Sequence, residues 1–156
     1  MKKISTVILA CSMALATASV MAETAKSEKQ AKRSTDLRQS IFSLLGSNMG
    51  ALGAMAKGKI PLDANVVEKN ATRINQLSLM IDDYTRVNTT SFSVNTEALD
   101  SVWSERSKFE KHINDLTMAS ANLQKVAMSG DENTIKKAIG GVGKTCGGCH
   151  DSFKKD

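Results

Sequence analysis

The chain has 156 residues, 4% aromatic side chains, one proline and a formal net charge of +5. A chain of this size holds one domain with a sizeable core. The charge is too modest and dispersed for a nucleic-acid-binding surface, and no stretch is long and apolar enough for a membrane span.

The first 22 residues read as a secretory signal peptide. Lys2 and Lys3 precede a mostly apolar run from Ile4 to Val20, and Val20-Met21-Ala22 offers a small-residue cleavage site. Cleavage there removes Cys11, one of three cysteines, and leaves only Cys146 and Cys149. Residues 23–34 form a polar, mixed-charge leader that is expected to fray. The folded domain is expected over residues 35–156.

Apolar residues then recur at helical spacing, with no useful strand-like alternation. A first helix is predicted from about Thr35 to Lys57, with Leu37, Ile41, Leu44, Leu45, Met49, Leu52 and Met55 on its inner face. Gly58 and Pro61 end it. Asp63 is the N-cap of a second helix reaching about Asp82, with Val67, Ala71, Ile74, Leu77, Leu79 and part of Ile81 inside and Met80 nearby. Residues 87–95 form a polar connection. A third helix is predicted from Thr96 to about Ser129, marked by Val102, Phe109, Ile113, Leu116, Leu123 and Val126. Gly130 is its C-cap, and Asp131 is the N-cap of a fourth helix carrying Ile135, Ala138, Ile139, Val142, Cys146, Cys149, His150 and Phe153. Four such helices with short links predict an all-α, antiparallel four-helix bundle.

The fourth helix ends in Cys146-Gly147-Gly148-Cys149-His150. In an exported chain, C-x-x-C-H is the attachment signature of a c-type haem: each thiol forms a thioether, and the adjacent imidazole becomes an axial iron ligand. A structural zinc site would need more ligands than His112 can add, and a redox dithiol would need a βαβ setting. Attachment of c-type haem implies a periplasmic location. Gly140, Gly141, Gly143, Gly147 and Gly148 each cost a helix about 1 kcal/mol against alanine, so a flat macrocycle lying close to the backbone is their expected purpose. His112 reads as a half-exposed surface histidine. Met49, Met55, Met80, Met118 and Met128 are available as sixth iron ligands, and all suit a helix core equally well. No nucleophile–base pair or paired carboxylates stand out, so a non-enzymatic role is expected.

Beyond the haem motif, Leu37-Arg38-Gln39-Ser40, Gly58-Lys59-Ile60-Pro61-Leu62-Asp63-Ala64, Val102-Trp103-Ser104 with Phe109, and Val142-Gly143 leading into Cys146 resemble the pattern of the cytochromes c′, class II cytochromes c. The resemblance runs from about Leu37 to Lys154. It implies one haem c held by Cys146 and Cys149 with His150 as proximal ligand, and Arg38 and Gln39 near a propionate; on residues alone, Arg38 could equally be an exposed helix charge. It implies Phe42 over the distal face, where low-spin relatives carry a ligating methionine and most members an apolar residue. It also implies Lys154 where the family commonly has arginine on the proximal side. The expected function is binding of nitric oxide, and of carbon monoxide, at a vacant apolar sixth site in a high-spin protein, with protection against nitric oxide as the role. The alternatives are a low-spin electron carrier with a methionine ligand and a redox partner protein, and a haem-free helical binding module. Homodimers through the first two helices are implied as well.

Overall fold

The computed structural model describes residues 23–155, and four long helices carry the fold. Helix α1 spans Glu28–Ala56 and α2 Ala64–Thr85; α3 is a single turn, Ser101–Ser104; α4 spans Arg106–Ala127 and α5 Glu132–Phe153. The starts are capped by side chains that accept otherwise unpaired amides: Ser27 from Gln30, Asp63 from Asn65 and Val66, and Asp131 from Asn133 and Thr134. Gly58 (φ 66°) and Gly130 (φ 74°) turn the chain in the left-handed region after α1 and α4. Helix α2 packs on α1 and α4, α4 on α5, and α5 on α1, which closes the bundle. Neighbours run antiparallel. Asn75 Nδ2 donates to Ser120 Oγ (3.2 Å), and further along α2 Ser78 Oγ meets Thr117 Oγ1 (2.7 Å), a position earlier in α4. Leu52, Val67, Ile74, Leu123, Ile135, Ile139 and Val142 are fully buried between the helices.

The amino-terminal stretch departs from expectation. Residues 23–34 are not a frayed leader: α1 begins at Glu28, and Ala31 is fully buried. Before it, β1 (Glu23–Thr24) pairs in parallel with β2 (Val87–Asn88), and Ala25 N donates to Asn88 O at 2.8 Å. The folded domain thus includes this stretch. Its buried positions are Ala31 and Thr35, small residues that seat the helix by close approach, so no run of large apolar residues announces it. The expected signal segment, residues 1–22, lies outside the described residues.

Two inner faces also differ. Leu37 and Leu44 point outward, 42% and 51% exposed, because the inner line of α1 runs through Ala31, Thr35, Arg38 and Ile41. Leu79 and Met80 are likewise exposed on α2. The predicted third helix is broken. Residues 97–99 bond instead to the end of α5, with Leu99 N donating to Phe153 O (2.9 Å) and Lys155 N to Glu97 O (2.7 Å). Those bonds hold residues 97–99 extended, and helix resumes only at the α3 turn and at Arg106.

Candidate haem site

Two cavities, of about 700 Å³ and 550 Å³, share Phe42, Phe109, Cys149 and His150 in their walls. The larger lies between α1, α4 and α5 and is lined by Leu45, Met49, Ile113, Leu116, Val142 and Cys146 among others. Both cysteines are half-buried free thiols. Burial pushes the Cys146 thiol up; burial, then the neighbouring Cys146, pushes Cys149 up to about 11. Two neutral thiols one helical turn apart and an imidazole on the next residue therefore line one apolar slot. Helix α5 is the right scaffold for this, since positions 146 and 149 share a face.

The register of α1 against α5 fixes what lies opposite the imidazole. Met49 Cε stands 3.6 Å from where a β-carbon on Gly143 would be. The two helices are antiparallel, so seven residues along each, about 10.5 Å, brings Phe42 level with His150. Phe42 is 37% exposed and lines both cavities, as His150 does.

At the smaller cavity, Arg38 is only 3% exposed, not an exposed helix charge. Its guanidinium lies 5.1 Å from the Trp103 ring centroid, and Nη2 donates to Thr35 Oγ1 (3.3 Å) and Thr96 Oγ1 (3.1 Å). Nη1 is buried without an acceptor, and no carboxylate of the described residues pairs with it. Burial pushes its pKa down from the ordinary arginine value. A buried cation whose Nη1 lacks an acceptor calls for an anionic oxygen ligand, and a haem propionate fits that need. Gln39 lines the same cavity, with Nε2 donating to Asn95 O at 2.9 Å. Lys154 is there too, its ammonium paired with Glu97 at 3.0 Å.

Some features escaped the sequence reading. Gly46, Gly50 and Gly53 line the larger cavity from α1, at a helical spacing that could have been noticed. On α5, Gly140 and Gly143 line it, whereas Gly141 and Gly147 are exposed and line neither cavity. His112 keeps the partial exposure expected of it but also faces the slot. It is half-buried, lines the larger cavity, lies 3.7 Å from where a β-carbon on Gly148 would be, and packs edge-on to Phe153 with centroids 5.6 Å apart. No helix of the described residues is long and apolar enough to cross a membrane.

Comparison with known proteins gives this slot its context. The family described as Cytochrome C' matches residues 33–154. Cytochrome c′ of Rubrivivax gelatinosus is 34% identical over 126 residues, which cover 77% of this chain and 92% of that one. The solved cytochrome c prime of Shewanella frigidimarina superposes with a TM-score of 0.74 at 35% identity, over 83% of this chain and all of that one. Cytochrome c prime of Alcaligenes xylosoxidans, 25% identical with a TM-score of 0.70 over 81% of this chain and 96–97% of that one, is solved as the nitric oxide and carbon monoxide complexes of leucine variants. On the match over residues 33–154 and the identity to these relatives, this chain belongs to the cytochrome c′ family, whose proteins carry a covalently bound c-type haem.

Proposed function

We propose that the chain is a periplasmic, high-spin haem protein that binds nitric oxide, and carbon monoxide, at a sixth iron position left without a protein ligand. The haem, attached through Cys146 and Cys149, supplies an iron with affinity for diatomic gases. His150 holds that iron from one side. Phe42 carries the reading: it is level with His150 across the slot, and a phenyl ring has no lone pair to donate. It excludes water and offers no hydrogen bond, which disfavours dioxygen more than nitric oxide. Arg38 and Gln39 hold the propionate edge. Lys154, drawn to Glu97, orders the proximal rim. Binding rather than turnover is the role, with protection from nitric oxide as its use. The amino-terminal 22 residues serve export, and the mature protein pairs as a homodimer.

A low-spin electron carrier, with Met49 as sixth ligand and a redox partner protein, is the competing reading, because Met49 lines the same cavity. Its thioether lies at the level of Gly143, about two helical turns from His150. Optical spectra of the purified haem protein separate the two. Broad high-spin ferrous bands that change on adding nitric oxide are expected. Sharp low-spin bands in both oxidation states, unmoved by the gas, would replace gas binding with electron transfer.

A further inference from the structure

We propose that Trp103 is a positioning residue for the haem carboxylate: with Thr96 it fixes the Arg38 guanidinium so that its unpartnered Nη1 is presented to the smaller cavity. The inference rests on the haem reading above and extends it to the side chains packed against Arg38. Trp103 is 8% exposed, and its Nε1 donates to Thr85 O at 2.9 Å. Thr85 is itself buried and held from the other side, its hydroxyl accepting from Arg106 Nη1 at 3.1 Å. The indole is thus tied at its edge while its face carries the Arg38 guanidinium, 5.1 Å from the ring centroid.

Thr96 supplies the second constraint. Its hydroxyl accepts from Arg38 Nη2 (3.1 Å) and from Ala98 N (3.1 Å), which locks it into the extended 95–98 segment. A guanidinium is a rigid planar fork. With its plane set by a ring and one nitrogen spent on Thr35 and Thr96, the direction of Nη1 is fixed before any ligand arrives. Such pre-organisation strengthens a charge-assisted bond, because little freedom is lost when the carboxylate docks. The other charged or titratable groups on that cavity are Glu97 and Lys154, which pair with each other, and Cys149 and His150. Lys155 is close by, bonded to Thr96 O at 3.3 Å.

The test is the pH dependence of the midpoint potential of the haem-loaded protein. Ionisation of a carboxylate beside the iron lowers the potential, so the pH at which the potential begins to fall reports that ionisation. Pairing with Arg38 holds it low. Trp103→Leu is expected to move the break to higher pH, toward the value in Arg38→Met, and Trp103→Phe to move it less. The double variant Trp103→Leu/Arg38→Met should move it no further than Arg38→Met alone. Thr96→Val should shift it the same way and serves if Trp103→Leu does not fold. The proposal is overturned if Arg38→Met leaves the break in place, if Trp103→Leu or Thr96→Val leaves it at the wild-type pH while Arg38→Met moves it, or if the double variant is additive. A wild-type protein without covalent haem would remove the haem reading together with this one, whereas haem-loaded variants without a shift would remove this one alone.

Discussion

Phe42 carries more of the functional reading than any other side chain outside the haem motif. It stands where the two cavities meet, level with His150, and under the proposed function its ring must yield before a gas reaches the iron. Its cost to the ligand is steric, since nothing in a phenyl ring interacts specifically with a diatomic. Phe42→Ala should therefore speed carbon monoxide association at least about tenfold, equivalent to about 1.4 kcal/mol of barrier, as measured by flash photolysis. Phe42→Met asks the converse question. A thioether at the same level should bind the iron and turn the ferrous spectrum low-spin. A Phe42→Ala protein with an unchanged association rate, or a Phe42→Met protein that stays high-spin, would mean that the ring is not over the iron. Arg38 teaches a related lesson at the same scale. A charged residue on the first helix reads as solvent-facing by composition, yet it is among the most buried residues of α1 because Trp103 and two threonines accommodate it.

Between elements, the end of α2 is tied to the start of α4 by one carboxylate. Asp82 accepts from Arg106 on α4 and from Arg86, the residue that follows α2 (2.9 Å). Partial burial pushes its pKa up, but hydrogen bonds and charge from Arg86 and Arg106 outweigh that and hold it below the usual carboxylate range. A carboxyl with a depressed folded pKa stabilises the fold fully above its unfolded value of about 3.9, and that contribution is lost as pH falls through the folded value. Asp82 is 40% exposed, so solvent screens the pair. Asp82→Asn should cost roughly 1–2 kcal/mol at pH 7 in denaturant unfolding, and the gap to wild type should shrink steadily below about pH 4. An equal gap at both ends of the range would mean that packing, not charge, joins these elements. The element boundaries also explain what could be read in advance. Asp63, Asp131, Gly58 and Gly130 are local signals, since a cap depends on the next few residues only, and each marked its helix end correctly. The start of α1 and the break before α4 depend on distant partners. Ala31 is buried by what packs against it, and residues 97–99 are held extended by bonds to Phe153 and Lys155. The haem motif was legible because its spacing is itself the chemistry. The seat of His112 became evident only when α4 and α5 came together, whereas Gly46, Gly50 and Gly53 share a helical spacing that the sequence displays.

For the whole molecule, the outward leucines of α1 bear on assembly. Leu37 and Leu44 are two turns apart on one face, 42% and 51% exposed, and neither lines a cavity. Sequence periodicity assigned both to the core, because an interface stripe and a core stripe have the same spacing. A single solvated leucine needs no explanation, but a pair aligned along a helix suits a two-fold contact in which each copy covers the other. The family resemblance implies a homodimer through the first two helices, and this leucine pair is where we propose that its contact lies. Covering a leucine is worth about 1.5–3 kcal/mol, and a two-fold axis places every substitution in the interface twice. Leu44→Glu should therefore weaken the dimer at least about 100-fold in Kd, about 2.7 kcal/mol, read by sedimentation equilibrium. The haem spectrum and its response to nitric oxide should stay as in the wild type, because Leu44 lines neither of the cavities that Phe42 and His150 share. A wild-type protein that sediments as a monomer at high micromolar concentration would end the proposal. A Leu44→Glu protein that remains fully dimeric would move the interface off this face of α1 and leave the gas site untouched, since the slot between α1 and α5 is complete within one chain.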